Sequence, residues 1–469
     1  MAERLVNVDR STPMLLPPDL REWVPEDDMV HFVIEAVQSM KLSTLKYNRR
    51  GSGSAQYPPR MMLALLIYCY ANGLFSSRRI ERATHRDVGV RYLTADTHPD
   101  HDTICTFRRE NFDTIHEAFV QVLRLARQMG VLKVGTASVD GTHILANASK
   151  NRTVRYDRAV ELEKQLEEKV KELLAKAEQA DQAEGDDGQR LPKAIAKRER
   201  LREQLQSAIR ELETKAKARA EAERAAYERK LAEHEERKKQ KKEGGKHPGR
   251  GPKPPSDDGK PKADDEINLT DADSRRMRKS HHEGFKQSYN AQAAVDADGS
   301  MLVLSNHVVR TPADFGQLEV AVEKIDASVG EVKTVLADGG YAKHESIEKL
   351  EASGVDVYVA VTQAENKPYQ PHDLQQASQE AMKRKPPKPP RRLSNPTMLR
   401  MQEKLQTKEG RQVYAKRHQS VEPVFGIIKH VMGFDRFLLR GMKKVSGEWS
   451  LVTLAYNMKR LWRLKPAAG

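Results

Sequence analysis

Three acidic signatures, far apart in the chain, carry the chemistry that this sequence can do: Val139-Asp140-Gly141-Thr142, Ala337-Asp338-Gly339-Gly340 and Val421-Glu422-Pro423-Val424-Phe425-Gly426. Hard divalent cations prefer oxygen ligands, carboxylates above all. Three carboxylates brought together can hold a pair of such ions, and such a pair clamps the attacking and leaving oxygens of a phosphodiester during in-line displacement. Asp140 and Asp338 each follow a strand-like apolar run and precede glycine. That places a short, stiff carboxylate at a sheet edge, with glycine allowing a phosphate backbone to approach closely. Asp-Gly is also a common turn signal, so it is the joint occurrence after two strands that marks a site. Glu422 stands before Pro423, and the residue before proline avoids the α region, so a helix start or kink is expected there, with Tyr414 and Arg417 on a preceding helix. On an unbroken helix, Lys429 would return close to the face of Glu422.

The elements that must bring these acids together can be read from pattern and punctuation. Residues 1–135 read as mostly helical, with helices expected over 28–41, 61–72, 78–85 and 103–129. The pair 61–72 and 78–85, joined by a short turn at Gly73, fits either a helix-turn-helix with a basic second helix, carrying Arg78, Arg79 and Arg82, or a plain helical hairpin. A strand over 131–145 turning at Asp140-Gly141, a hairpin of strands over 287–295 and 301–309, a helix over 314–329, a strand over 333–337, a helix over 341–353 and a strand over 355–361 predict an α/β fold, a mixed sheet covered by helices. Residues 155–242 are rich in Glu, Lys, Ala, Arg and Leu, with Leu162, Leu166, Val170 and Leu173, then Leu201, Leu205, Ala208 and Leu212, in steps of three and four. This is coiled-coil spacing, and Gly185-Asp186-Asp187-Gly188 in the middle makes it an antiparallel hairpin inserted into the sheet domain. The Gly- and Pro-rich stretch 241–262 and the segment 362–395, with Lys383-Arg384-Lys385-Pro386-Pro387, read as basic linkers.

Composition narrows the partner. The chain of 469 residues has 81 Lys and Arg against 67 Asp and Glu, a net charge of +14, which suits a polyanion, nucleic acid first and an anionic membrane surface second. Its mean hydropathy is −0.73. No run of 18 apolar residues occurs, so no membrane span is expected, and the N-terminus has no apolar signal core. With only two cysteines, Cys69 and Cys105, a reducing cytoplasm is expected. No Cys-x-x-Cys, phosphate-binding glycine loop or Gly-x-Ser-x-Gly is present, which leaves zinc-finger, nucleotide-hydrolase and serine-hydrolase readings without their parts. His281-His282-Glu283 reads as polar loop, because adjacent histidines do not aim at one ion.

Asp140, Asp338 and Glu422, with Tyr414-Ala415-Lys416-Arg417 before the glutamate and Lys429 after it, resemble the DDE transposases of bacterial insertion sequences (insertion-sequence 4/5-type superfamily), whose ribonuclease-H-like domain carries a Tyr, Arg, Glu, Lys signature around its third acid. Pro99-Asp100-His101-Asp102-Thr103-Ile104-Cys105-Thr106-Phe107-Arg108 looks like that family's N-terminal helical domain, the run Gln287 to Asp296 like its second and third strands, and Arg436-Phe437-Leu438-Leu439-Arg440-Gly441 like the segment after the catalytic helix. Four residues, where the signature has three, separate Arg417 from Glu422, so Lys416 and His418 stand as alternatives for the arginine's role.

The resemblance implies a ribonuclease-H-like mixed sheet with flanking helices, an N-terminal all-helical domain and the inserted charged hairpin. It implies Asp140, Asp338 and Glu422 as catalytic metal ligands for two Mg²⁺ ions, with Mn²⁺ as the alternative. Tyr414, Arg417, Lys429, Arg436, Arg440, Arg78, Arg79 and Arg82 are then expected on DNA. The parts become a DNA-end-binding domain (1–130), the first piece of the catalytic domain (131–154), the hairpin (155–242), a basic linker (243–280), the catalytic domain continued (281–361), a Pro-rich linker (362–398), and the catalytic helix with the C-terminal helices (399–469). Expected partners are double-stranded DNA, as terminal inverted repeats and as target, and further copies of the chain in a homodimer or larger synaptic complex, in the cytoplasm and on the nucleoid when DNA-bound. A ribonuclease-H-like nuclease without strand transfer and a catalytically inactive DNA-binding protein are the competing readings.

Overall fold

The N-terminal helices begin where the sequence supplies an acceptor for the free N–H groups of a first turn. Asp28 accepts from Val30 N at the start of α1 (Met29–Ser39), Pro59 opens α2 (Pro59–Ala71), and the chain turns at Gly73 (φ 78°) into α3 (Ser77–Arg86). A side chain at Gly73 would also meet the Met432 carbonyl oxygen at 2.9 Å, so glycine is required there twice over. Asp87 and Asp100 cap α4 (Val88–Leu93) and α5 (His101–Glu110), and α6 (Phe112–Gln128) follows. The single helix expected over 103–129 is therefore two. Asn111 divides it, its side chain accepting from Lys46 N and donating to Phe107 O.

The structure is a computed structural model and describes residues 19–47, 56–182, 190–243, 251–278, 283–361 and 395–465. The expected turn at Gly185 to Gly188, His281-His282 and most of the Pro-rich segment 362–398 lie outside the described residues. After α6 come β1 (Thr136–Leu145), β2 (Thr153–Arg155), α7 (Tyr156–Gln182), α8 (Arg190–Glu243), β3 (Glu266–Asn268), β4 (Arg275–Met277), β5 (Lys286–Asp296) and β6 (Val303–Val309). Then follow α9 (Gln317–Glu323), β7 (Thr334–Ala337), α10 (His344–Ala352), β8 (Asp356–Val359), α11 (Pro396–Gln406), α12 (Lys408–Gly426) and α13 (Met442–Leu464). The chain packs as two units, one of residues 1–144 with 290–469 and the other of 145–289. No helix among the described residues is long and apolar enough to cross a membrane.

In the first unit the sheet order is β6-β5-β1-β7-β8, with β5 and β6 antiparallel and β1, β7 and β8 parallel. Helices flank this mixed sheet, the ribonuclease-H-like arrangement that the resemblance implies. The long apolar helix α13 lies on it: Trp449, fully buried, donates Nε1–H to Gln292 O at 3.0 Å, and Asn457 brackets Val303 by accepting from its N–H and donating to its C=O, both at 2.8 Å.

The N-terminal helices share this core. Arg108 and Glu448 are buried, and Tyr70 joins them: Arg108 Nη1 donates to Tyr70 Oη at 2.6 Å, Tyr70 Oη donates to Glu448 Oε1 at 3.4 Å, and Arg108 lies 4.0 Å from Glu448. The other oxygen, Glu448 Oε2, accepts from the backbone N–H groups of Leu438 and Leu439 at 2.9 and 3.0 Å. Burial holds the Glu448 carboxyl above its usual range, against the pull of Arg108 and those two N–H groups.

The second unit is built on the hairpin of α7 and α8. Val170 on α7 and Leu205, Ala208, Leu212, Ala216 and Ala220 on α8 are buried at the expected steps of three and four. Val154, Tyr156, Leu269 and Ala272 cover Ala208, Leu212 and Ile267, and β2 pairs antiparallel with β3. Part of the stretch expected as a basic linker (243–280) is packed here. Arg219 pairs with Asp257 and, at 3.2 Å, with Asp265; a β-carbon added at Gly259 would lie 3.6 Å from the Ala220 methyl group; β4 pairs with the start of β5. Its low apolar content pointed to a linker, but ion pairs and a short sheet hold it.

Candidate active site

Asp140 is not the turn residue that Asp-Gly suggested, because β1 runs on through Gly141 to Leu145. What ends is its pairing with β7. The last pair in register is Val139 with Ala337, so Asp140 and Asp338 are the next residues on two adjacent parallel strands. At Asp338 the second strand stops, and its carboxylate accepts from Gly340 N at 2.8 Å, capping a single 3₁₀ turn over Gly339–Tyr341.

Glu422 comes from α12, which is continuous from Lys408 to Gly426 with Pro423 inside it. The break expected before the proline is absent, and Tyr414, Arg417 and Glu422 share one helix. The helix opens into a π-helical segment (Ile427–Val431) only after Gly426, and Lys429 lies in that segment. This shifts its phase from the 3.6-residue repeat, and it turns toward β1: Lys429 Nζ donates to Thr142 Oγ1 at 2.5 Å and His143 O at 2.9 Å.

Between the acids sits Arg417. It is 5% exposed, with Nη1 3.6 Å from Asp140 Oδ2 and Nη2 donating to Glu422 Oε1 at 3.1 Å. His418 Nδ1 lies 2.9 Å from the same glutamate oxygen, whereas Lys416 is turned to Asp298 at 2.9 Å. Of the alternatives left open, Arg417 and His418 reach the acids and Lys416 does not. Tyr414 Oη donates to Ala337 O at 3.1 Å, next to Asp338. Tyr414, Arg417 and Lys429, expected on DNA phosphates, thus direct their polar ends inward, onto the residues that carry or flank the acids. Arg78, Arg79 and Arg82 are exposed on α3, and Arg436 and Arg440 are exposed in the segment before α13.

Burial lifts the Asp140 carboxyl, with the charge of Asp338 adding to it, up to about 7, although Arg417 and the Gly141 N–H pull it down. Asp338 is raised as well, first by burial and then by the charges of Asp314 and Glu422, against the Gly340 N–H and Arg417. Burial and mutual repulsion thus gather these carboxyl groups into an acidic pocket with Arg417 as its cation. Glu422, with a side chain 47% exposed, faces Arg417 and His418, so among the described residues no group of three or more acidic, histidine or cysteine side chains stands ready-made to hold a metal ion.

A fourth acid was not foreseen. Asp314, read as the start of a helix, lies in the loop before α9, and its Oδ1 accepts from Asn290 Nδ2 at 2.8 Å and Gln292 Nε2 at 2.6 Å. Gln292 in turn accepts from Tyr341 Oη, on the turn that Asp338 caps. Gly141 explains itself here: a β-carbon would meet Gln292 Nε2 at 2.2 Å and Asp314 Oδ1 at 2.5 Å. Its missing side chain makes room for this network, not for a phosphate backbone. One signal existed in the sequence: Ser288, Asn290 and Gln292 alternate with Tyr, Ala and Ala, a polar stripe on one face of a strand that proves buried throughout that stretch.

Residues 262–458 match the family model of the Transposase DDE domain, and residues 18–110 match that of the Transposase domain (DUF772). Together the two transposase models cover more than half of the chain, and it belongs to the DDE transposases of insertion sequences. Proteins of this family act on DNA and depend on divalent metal ions. The DDE match includes Asp338 and Glu422, while Asp140 lies ahead of it, on the other side of the hairpin. No curated protein and no solved structure matches the chain.

Proposed function

We propose that this transposase binds the terminal inverted repeats of its element and carries out metal-dependent strand cleavage and strand transfer in the sheet unit, with Asp140, Asp338 and Glu422 as metal ligands. The observation that carries this reading is the register of β1 and β7, which sets Asp140 beside Asp338 with Arg417 bridging from Asp140 to Glu422. The donor set fits a hard divalent cation: all oxygen, crowded, and raised above the usual carboxylate range by burial and by the charges of neighbouring acids. When bound, a pair of Mg²⁺ ions, or Mn²⁺ in their place, activates the attacking hydroxyl and offsets charge on the departing 3′-oxygen.

The chain's own residues supply position. Tyr414 holds the Ala337 carbonyl next to Asp338, Lys429 holds Thr142 and His143 beyond Asp140, and Asp314 with Asn290 and Gln292 braces the strand face beside them. Arg417 balances the acids as they stand, and Glu422 would leave Arg417 and His418 to complete the ligand set when the metal is bound. Arg78, Arg79, Arg82, Arg436 and Arg440 meet DNA phosphates, which fix register without reading sequence. An N-terminal helical part that binds the DNA ends, a homodimer or larger synaptic complex holding two ends, and a cytoplasmic protein on the nucleoid complete the reading.

The test is a joining assay. The full-length protein, Mg²⁺, a duplex bearing the element's end with a free 3′-hydroxyl and a supercoiled target should yield covalently joined product. Cleavage without joining would leave a nuclease, and neither would leave a DNA-binding protein without catalysis.

A further inference from the structure

Several cations along the hairpin are paired with carboxylates: Arg158 with Glu161, Lys171 with Glu167, Arg202 with Glu163 and Glu167, Lys215 with Glu211, and Arg219 with Asp257 and Asp265. A cluster near the start of α8 is not, and it lines a groove. Lys193, Lys197 and Arg200 are exposed, and none of them has a carboxylate partner among the described residues. Their spacing of four and three residues puts them on one stripe that runs for about 10 Å at about 1.5 Å per residue. Arg152 faces this stripe from a different element. Its backbone is tied at both ends, N–H to Ser149 O at 3.1 Å and C=O to Leu269 N at 2.9 Å, and its guanidinium donates to Gln204 Oε1 at 3.2 Å. The four cations and Gln204 line a groove of about 400 Å³.

The charge is local. Residues 190–210 hold 7 basic and 2 acidic residues, a net of +5, whereas α7 holds 5 basic and 8 acidic, a net of −3. Four cations set around one groove without an anion repel one another, and a ligand that brings a row of negative charges relieves that repulsion. A single phosphate is too small for it. A stripe of about 10 Å spans the rise of about three successive phosphates on one strand of duplex DNA at about 3.4 Å each.

We infer that this groove binds the phosphodiester backbone of duplex DNA, so that the inserted hairpin is an arm that grips DNA. The inference rests on the proposed action on DNA and adds a second contact to it. Such a contact reads no sequence, and its strength falls with salt through counterion release.

The experiment compares full-length wild type with the triple variant Lys193→Gln, Lys197→Gln, Arg200→Gln and with Arg152→Gln, using a short fluorescent duplex of random sequence and Kd measured from about 50 to about 200 mM salt. Glutamine keeps helix propensity near that of lysine and arginine, and equal circular dichroism melts show that the fold is kept. The triple variant should lose about 2 to 3 from the magnitude of the slope of log K against log salt, and Arg152→Gln about 1, at about 0.9 per phosphate contact. Wild-type binding with unchanged slopes in both variants overturns the groove and leaves the functional reading standing. A wild type with no affinity for duplex DNA overturns the functional reading, and the groove with it.

Discussion

Asp140→Asn, Asp338→Asn and Glu422→Gln each lower metal-dependent strand cleavage by roughly a hundred- to a thousandfold, the scale seen when a charge-stabilising group is removed from a reacting centre. Binding of the DNA ends should be nearly unchanged, because in the proposed mechanism the three acids would meet DNA only through the metal. Asp140→Asn gives the sharpest form of this result. Its carboxyl is raised to about 7 by burial and by Asp338, so as pH rises from the ordinary carboxylate range toward 7 the unfolded chain releases this proton first and the fold loses stability. An amide of the same shape has no proton to lose. Without metal the variant should therefore melt at or above the wild-type temperature at neutral pH, and with Mg²⁺ it should still show the loss of cleavage, which separates a missing ligand from a damaged fold. Normal cleavage by any one of the three variants removes that residue from the site.

Glu448→Ala lowers the unfolding free energy by about 3–5 kcal/mol, as expected when one partner of a buried charge pair is removed. Two losses combine. Arg108, itself buried, is left without its carboxylate, and the N–H groups of Leu438 and Leu439 lose the oxygen that both donate to. Those N–H groups belong to the segment that carries Arg436 and Arg440, so the variant should also weaken DNA binding. Denaturant unfolding measures the first effect, and a loss under about 1 kcal/mol would put the pair among ion pairs of little consequence.

The order of strands and helices along the sheet domain, and the position of Asp140 and Asp338 after apolar runs, were legible in the sequence because both depend on short local patterns: an apolar run, then Asp, then Gly, and hydrophobic alternation broken by turn residues. Misreadings came where a local rule met a tertiary contact. Asp-Gly signals a turn in isolation, yet β1 continues through it with Thr142 and Ile144, β-branched residues suited to a strand. Pro423 signals a helix boundary, yet α12 passes through it, with Val421 and Val424 buried on either side of the Glu422-Pro423 pair. Asp314 could not have been found by pattern, since its role exists only where Asn290 and Gln292 from β5 converge on its loop. Likewise, the inward turn of Tyr414, Arg417 and Lys429 depends on Ala337, Asp140, Thr142 and His143, all far from them in sequence.

The central claim is that the three acids hold the metal, and anomalous diffraction from crystals grown with Mn²⁺ tests it most directly. The account predicts manganese signal against the carboxylates of Asp140 and Asp338, with Glu422 released from Arg417 and His418 and turned toward the ion. Manganese bound elsewhere, or a site between the aspartates that leaves Glu422 paired with Arg417 even when DNA is present, would contradict it.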